Sequence, residues 1–284
     1  ASIFLVYVDA SQGWVATQDD SSTFSGEAFV VATGGTITQC GNCKIHTFTG
    51  PGTFSVTTAS SNAADNVISH LIVGGGGGAG SFHGGGGGAG GFREVKSPVT
   101  PYTASPLDGY PSAPNRVTIS ASPGSYPIVI GAGGVGKKGP TAPGGPVTNT
   151  PGSDSTFAGL TSTGGGKGGG DTPGVNQAGA TGGSGGGGGN STSGLSGGAA
   201  GGAGNTPSVS PAQGFAGGSG GSDDTSFRGG GGGGGATAVG TNVNPSGPDS
   251  APDSVGYGGA GATTSINGTP TARGGGGGGG STNV

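Results

Sequence analysis

The side chains best suited to chemistry in this chain are Cys40, Cys43 and His46, which lie close together in the sequence. Two cysteines at this spacing could form a redox pair, but a reactive pair needs a helix amino terminus that lowers its thiol pKa, and the flanking segments are strand-like. The three residues could also bind zinc, although a structural zinc site needs a fourth ligand and none is visible nearby. The remaining interpretation is a turn whose thiols are free or bridged to each other, and we predict no metal site.

A second chemical pattern is the glycine-rich segment that begins at Gly131 and ends with Lys137 and Lys138. It follows a strand-like segment and resembles both a dinucleotide-binding fingerprint and a phosphate-binding loop. Both motifs require a helix directly after the loop, and the prolines that follow, Pro140 and Pro143, prevent one. Lys138 also occupies the position of the hydroxyl that would bind magnesium. We therefore predict no nucleotide and no other cofactor.

The remaining titratable side chains do not form a catalytic set. No histidine lies near a plausible serine–acid constellation, and the paired carboxylates are interpreted as turn residues because a glycosidase pair needs apolar walls. These residues are His46, His70, His83, Asp19-Asp20 and Asp223-Asp224. Asn190 and Asn267 lie in glycosylation sequons, which have meaning only in a host that glycosylates. We predict that the protein is not an enzyme.

The composition explains why conventional chemistry is hard to place. The chain has 284 residues, of which 78 are glycine and 19 proline, while 29% are apolar and 8% charged. That apolar content cannot fill a conventional core, yet the low charge is also unlike a self-repelling disordered tail. The net charge of −4 gives no reason to expect a nucleic-acid partner. No stretch reaches the ~20 apolar residues of a membrane span, and the lack of methionine suggests a processed chain or a piece of a longer one.

Residues 1–73 have the pattern of a small all-β module. Short segments rich in β-branched and aromatic residues alternate with Asp-Asp, Gly-Gly, Gly-Asn and Gly-Pro-Gly turn signals. Trp14 is expected in its core because of its apolar size. The predicted strands are Ser2–Val8, Gly26–Thr33, Thr36–Gln39, Lys44–Phe48, Thr53–Thr57 and Val67–Val73.

From residue 74 to residue 284, glycine runs of similar length alternate with connectors rich in Ser, Thr, Pro, Asn and Asp. In the polyproline-II conformation the chain turns once every three residues, and its N–H and C=O groups point outward. Without Cβ atoms, neighbouring runs can approach closely enough for these groups to bond. The pattern therefore predicts a bundle of packed polyglycine-II helices after the β module, with essentially no α-helix. The alternative is a flexible Gly/Ser linker.

The glycine content of a run predicts how deeply the run is buried in this bundle. A helix surrounded by others needs glycine at nearly every position, whereas an edge helix can carry another residue on its free side. The Ala-containing run 197–204 is therefore expected at the periphery, and the two pure runs are expected in the interior. Their scaffold positions are Gly229, Gly232, Gly235, Gly274, Gly277 and Gly280.

The connectors are expected to alternate between the two ends of the bundle. One end would carry 92–127, 171–181, 205–213 and 236–256, and the other 81–83, 137–163, 190–196, 222–228 and 263–273. The first set offers tyrosine beside small polar residues, a composition typical of recognition surfaces. The candidate binding residues are Tyr102, Asp108, Tyr110, Arg116, Asp249 and Asp253. The alternative is that these connectors are merely soluble turns.

The glycine pattern of residues 74–284 resembles the glycine-rich adhesins at the tips of bacteriophage tail fibres, whose distal domain is a polyglycine-II sandwich with variable loops. The preceding part is similar to modules of marine-phage structural proteins in Leu5-Val-Tyr-Val-Asp9, Gly13-Trp14, Lys44–Phe54 and Leu71–Arg93. The resemblance implies a virion location, a homotrimer or attachment to a trimeric fibre, other fibre or virion proteins as partners, and binding of a host surface polysaccharide or outer-membrane protein. The β region and the 92–127 insertion depart from the family, which leaves open a terminal adhesin or a segment along the fibre.

We therefore predict a non-enzymatic adhesin, in the virion tail fibre or otherwise extracellular, whose loops bind the host cell surface. One alternative is a self-assembling extracellular fibre or virion decoration protein, which would form polymers from the purified chain. A second alternative is an ice-binding protein. That function would require regular ranks of Thr or Ala on one face, and the connectors are irregular.

Overall fold

A computed structural model describes residues 5–7, 14–16, 29–137, 148–172, 175–191, 198–222, 229–243 and 255–281. Regular structure in these residues consists of β-strands and two short 3-10 turns, with no α-helix. The prediction of a chain with essentially no α-helix is therefore confirmed for this part of the protein. Trp14 was predicted to lie in the core of the β module, but its side chain is outside the described part of the structure.

All strands before residue 74 except β2 overlap the predicted segments, because each β-rich segment is closed by a turn signal. Thr36–Cys40 and Cys43–Thr47 form a hairpin around Gly41, whose φ is 56°. The strands are β1 (Leu5–Tyr7), β2 (Trp14–Ala16), β3 (Val31–Thr33), β4 (Thr36–Cys40), β5 (Cys43–Thr47), β6 (Gly52–Thr58), β7 (Val67–Ile68) and β8 (His70–Val73), with a 3-10 turn at Ala63–Asn66.

The connectors between glycine runs contain further strands, most of which the sequence did not predict. They are β9 (Phe92–Val95), β10 (Val117–Thr118), β11 (Ser125–Val129), β12 (Ser155–Phe157), β13 (Leu160–Ser162), β14 (Asp171–Thr172), β15 (Val175–Asn176), β16 (Ala262–Thr264) and β17 (Thr271–Arg273), with a 3-10 turn at Ala113–Asn115. β10 pairs with β7, and β11 pairs with β6 and β12.

One antiparallel sheet of five strands, in the order β13-β12-β11-β6-β3, joins the early and late parts of the chain. Its apolar core contains Phe54, Val56, Ile72, Val117 and Phe157. The sheet therefore takes strands from both sides of the predicted domain boundary at 73/74, and that boundary stays a prediction. A smaller cluster of Phe92, Ala236 and Ala262 connects this region to the glycine runs.

The glycine runs are cross-linked by backbone hydrogen bonds that repeat every third residue. Gly74, Gly77 and Gly80 donate to Gly91, Gly88 and Gly85 at 2.8–2.9 Å. In chain order the runs are 1 (74–80), 2 (84–91), 3 (131–137), 4 (149–153), 5 (163–170), 6 (177–182), 7 (183–191), 8 (198–204), 9 (214–222), 10 (229–236), 11 (238–243), 12 (255–261) and 13 (274–281). Residues of one run that lie three apart therefore face the same neighbour.

Consecutive runs point in opposite directions, so connectors alternate between two ends of the bundle. At the end that carries β9 to β13, the amide of Ser265 donates to Thr103 O at 3.0 Å. The predicted assignment of 263–273 to the opposite end is therefore wrong. Runs 4, 6 and 11 were hidden because they contain Pro, Gln, Thr and Asn, and they divide the predicted connectors 137–163, 171–181 and 236–256. We call the end with β9 to β13 the sheet end and the other the far end.

Burial separates interior runs from edge runs. Every residue of runs 2, 7 and 10 is buried, as expected for the pure run 229–235. The pure run 274–280 is only half-buried, and Gly275, Gly277 and Gly278 are exposed, so its predicted interior position is wrong. Purity failed as a guide here because the described neighbours of this run cover only part of its circumference.

Candidate functional site

The predicted binding residues that the structure describes lie in one connector at the sheet end. We call residues 96–116 the recognition loop. It begins after β9 and ends before β10, so both of its ends are fixed by strand pairing. Its base also contacts the β16–β17 connector, through Ser265 and Thr103.

A buried carboxylate fixes the base of the recognition loop. Glu94 is 2% exposed, and its Oε2 accepts a hydrogen bond from the amide of Ser105 at 2.8 Å. Its Oε1 accepts a hydrogen bond from the hydroxyl of Thr264 in β16. A buried carboxylate is stable only when such donors replace water, so Glu94 ties the loop to a connector 170 residues later.

Asp108 organises the middle of the recognition loop. Its Oδ1 accepts hydrogen bonds from the amides of Lys96 at 2.9 Å and Tyr110 at 3.0 Å. The backbone of Asp108 also bridges to Glu94 in parallel, and Gly109 donates to Glu94 O at 2.8 Å. This predicted binding residue therefore holds the loop in shape, and its role in binding stays a prediction.

Tyr102 is half-buried beside the loop base. Its hydroxyl donates to Val95 O at 3.4 Å, and the ammonium group of Lys96 lies 5.9 Å from its ring centre. Burial, and then the negative charge of Glu94, hold the pKa of the Tyr102 hydroxyl well above its usual range. The hydroxyl therefore stays protonated and serves as a hydrogen-bond donor.

Tyr110 and Arg116 form the outward-facing part of the recognition loop. The Arg116 guanidinium lies 4.3 Å from the centre of the Tyr110 ring, and its Nε donates to Tyr110 O at 2.7 Å. Arg116 is exposed and Tyr110 is half-buried. Stacking and the hydrogen bond hold the guanidinium in one place, so its remaining N–H groups can meet an anionic or polar group at the surface.

Two further side chains support the loop, and the sequence analysis missed both. Asn115 is buried, and its Nδ2 donates to Ser210 O at 2.8 Å, while its Oδ1 accepts from Arg93 Nη2 at 2.8 Å. The other Arg93 nitrogen donates to Thr161 O at 2.9 Å. Burial lowers the pKa of Arg93. The sequence feature that could have revealed Arg93 is the adjacent charged pair Arg93-Glu94 inside a strand, because only 8% of the residues in the chain are charged.

A small cavity of about 10 Å³ lies beneath the recognition loop. Its lining includes His70, Arg93, Glu94 and Asn115. Burial lowers the pKa of His70 to about 4, although the nearby carbonyl of Ile68 acts against this shift. The cavity is far smaller than the ~300–1,000 Å³ of typical ligand pockets, so it is too small to hold a ligand of ordinary size.

The cysteines lie on the β4–β5 hairpin, where Cys40 approaches the β16–β17 connector: a Cβ at Gly268 would lie 3.6 Å from Cys40 Sγ. Cys40 and Cys43 pair across the turn, and both thiols are free. His46 pairs with Ile37 further along the hairpin, and its Nδ1 is 2.8 Å from Gly34 O. Within the described residues no group of three or more His, Cys, Asp or Glu side chains is arranged to hold a metal ion.

The other predicted residues fall into three groups. Asp249 and Asp253 lie outside the described residues. Of the predicted scaffold glycines, Gly277 and Gly280 accept hydrogen bonds from Gly233 and Gly230 of run 10, whereas Gly232 and Gly235 donate to run 11. Of the two sequon residues, Asn190 is 1% exposed, whereas Asn267 is exposed. Of the six predicted binding residues, the structure places Tyr102, Asp108, Tyr110 and Arg116 in the recognition loop.

A family model described as a glycine-rich domain matches residues 47–215, more than half of the chain. The match begins in β5 and ends in run 9, so it includes the recognition loop and every strand of the five-stranded sheet except β3. No curated protein and no solved structure matches the sequence. No helix among the described residues has the length and apolar character needed to cross a membrane.

Proposed function

The chain belongs to the glycine-rich domain family, and we propose that it is a non-enzymatic adhesin of a bacteriophage tail fibre. In this proposal the glycine runs form a stiff scaffold, and the recognition loop binds a polysaccharide or an outer-membrane protein on the host surface. The observation that carries it is the exposed Arg116 guanidinium, stacked on the half-buried Tyr110 at one end of a hydrogen-bonded bundle.

The first element of the proposal is that the runs are polyglycine-II helices. Hydrogen bonds that repeat every third residue support this, because three residues make one turn of that helix. The need for glycine supports it as well. A Cβ at Gly187 would lie 2.0 Å from Gly231 O, and one at Gly232 would lie 1.8 Å from Tyr257 O. Backbones at such distances leave no room for side chains.

The second element is that a stiff scaffold makes loop binding effective. Ordering a loop at the moment of binding costs free energy, so a loop fixed beforehand binds more tightly for the same contacts. Glu94, Asp108 and Asn115 all hold the recognition loop through hydrogen bonds to its backbone or its neighbours. The loop thus has internal support that a soluble turn would not need.

Cell binding tests the role of the recognition loop. Purified, fluorescently labelled protein is added to a panel of bacterial strains, and bound fluorescence is measured per cell. We expect saturable binding to the host strain and at least about tenfold weaker binding by Arg116→Ala, because a fixed surface guanidinium commonly dominates an interface. Lys44→Ala, which changes an exposed cation on β5, is the matched control and should bind normally.

Virion location is tested separately. Mass spectrometry of gradient-purified phage particles should detect peptides from this chain, and antibody labelling should place it on the tail. Absence from particles would contradict the tail-fibre assignment. Binding to no strain in the panel, or equal binding by Arg116→Ala and the parent, would contradict the role of the loop.

A further inference from the structure

A groove runs along one edge of the glycine bundle. Run 2 forms its floor, and runs 1 and 13 form its walls. Gly77 of run 1 donates to Gly88 O, and Gly277 of run 13 donates to Gly87 O, so both walls bond to the same floor. The described residues show no hydrogen bond between the two walls. Gly76 and Gly277, one on each wall, are exposed. We call this feature the edge groove.

The floor of the edge groove presents unpaired amide donors. In run 2 the amides of Gly85 and Gly88 donate to run 5, and those of Gly86 and Ala89 donate to run 10. The three-residue repeat leaves a third direction, toward the space between the walls. The amides of Gly87 and Gly90 point toward this space, and they donate to no backbone acceptor within the described residues.

The walls of the edge groove present unpaired carbonyl acceptors. In run 1 the carbonyls of Gly76 and Ala79 accept hydrogen bonds from run 3, and those of Gly75 and Gly78 accept from run 5. The carbonyls at the remaining repeat position, Gly74 and Gly77, accept no backbone hydrogen bond from the described residues. In run 13 the carbonyls of Gly275 and Gly278 likewise accept nothing from the described residues. The groove therefore combines donors on its floor with acceptors on its walls, spaced by three residues.

A glycine of run 1 points to what approaches this edge. A Cβ added at Gly76 would have its nearest neighbour, Gly88 O on the floor, at 3.7 Å, so packing inside the described chain does not require glycine there. Glycine carries an entropic cost that alanine would reduce. Glycine in such positions is typical of a place where another backbone comes close.

We propose that the edge groove binds a glycine-rich segment of a second polypeptide chain, in the same extended conformation as the runs beside it. The amides of that segment would donate to the carbonyls of both walls, and its carbonyls would accept from Gly87. The interaction resembles the addition of a strand to an open sheet edge, where main-chain bonds give affinity. It does not depend on host binding by the recognition loop.

Hexaglycine is the probe, with hexa-alanine as its control, and amide hydrogen exchange and chemical shifts of the full chain are measured by NMR. We expect hexaglycine to shift and protect the amides of Gly87 and Gly90, and hexa-alanine to have no effect. Concentration-dependent protection without peptide, accompanied by dimers in sedimentation, would also support the proposal, with a second copy as the bound chain.

Two variants distinguish binding in the edge groove from nonspecific binding of the peptide. Gly76→Val places a side chain toward the groove, where the nearest atom to its Cβ is 3.7 Å away, so the fold should tolerate it while hexaglycine affinity falls at least about tenfold. Gly275→Val, whose Cβ would face run 12, should bind like the parent. The proposal is overturned if hexaglycine leaves Gly87 unchanged, if both variants bind alike, or if the Gly87 amide is already protected in the free monomer.

Discussion

Gly232 lies in the middle of run 10, where each face of the backbone meets another run. Its amide donates to Thr241 O at 3.0 Å, and its carbonyl accepts from Gly218 at 2.8 Å. A side chain at Gly232 would collide with Tyr257 O, because the Cβ position is 1.8 Å from that atom. At this scale, stability depends on the absence of a side chain, which is the opposite of an apolar core.

We expect Gly232→Val to lower the free energy of unfolding by about 3 kcal/mol or more, since a rigid backbone atom must move. Thermal unfolding followed by circular dichroism measures the change. Gly275→Val is the control, because the space around its Cβ is open and its melting temperature should stay near that of the parent. A Gly232→Val protein that melts like the parent would show that this position is not interior.

His70 predicts an acid-sensitive fold. It is 7% exposed, and neither ring nitrogen has a hydrogen-bond partner at ordinary geometry among the described residues. Burial lowers its pKa to about 4, below the usual 6.5, and the positive charge of Arg93 acts in the same direction. The unfolded chain therefore takes up this proton first. The stability contribution is complete above pH 6.5 and is lost as the pH falls from 6.5 to about 4.

The loss corresponds to about 3 kcal/mol over that window. Denaturant unfolding at several pH values measures it. We expect His70→Leu, which keeps an apolar side chain beside Phe157, to lose most of the stability change that the parent shows in this window. If the two proteins respond identically to pH, protonation of His70 does not limit stability.

At the scale of elements, the recognition loop depends on a few acceptors placed far apart in the sequence. Asp108 receives two loop amides through one oxygen, and Glu94 joins the loop to β16. Removal of such an acceptor leaves buried donors without partners, which costs about 1–3 kcal/mol. The shape of the loop should therefore respond to these residues more than to its own composition.

We expect Asp108→Ala to raise the amide exchange rates of Lys96 and Tyr110 by at least about tenfold, because each amide loses its acceptor. The runs of the bundle should keep their protection. Asp65→Ala, which changes a carboxylate on the separate 3-10 turn, is the control. Unchanged exchange at both loop amides would mean that another contact shapes the loop.

Sequence patterns predicted the elements unevenly, for physical reasons. β4, β5 and β6 were predictable because β-branched residues alternate with clear turn signals. Runs such as 229–236 were predictable because nothing but close backbone packing requires pure glycine. Run 4 was missed because its exposed edge positions tolerate Thr150, Pro151 and Ser153. Runs 6 and 11 were missed as well, and an odd number of missed runs reversed the end assigned to 263–273. Glu94 was missed because its partner Thr264 lies 170 residues away, a distance that no local pattern reveals.

At the scale of the whole molecule, two kinds of packing are joined in one chain. The five-stranded sheet buries Phe54 and Phe157 in an apolar core, whereas the bundle is held by main-chain hydrogen bonds. Each such bond contributes only about 0.5–1.5 kcal/mol net, against about 1–2 kcal/mol to order each residue. The bundle is therefore expected to be stable only as a unit, with its sheet end anchored by the core.

Amide hydrogen exchange of uniformly labelled protein tests the central claim most directly, because it reports each backbone donor separately. We predict strong protection of Gly86, Gly187 and Gly231, which donate to neighbouring runs at 2.8–3.0 Å, with similar opening free energies across the interior runs. Exposed Gly275, which donates to no described residue, should exchange quickly. Exchange of the interior glycines at the rate of an unstructured peptide would contradict the account.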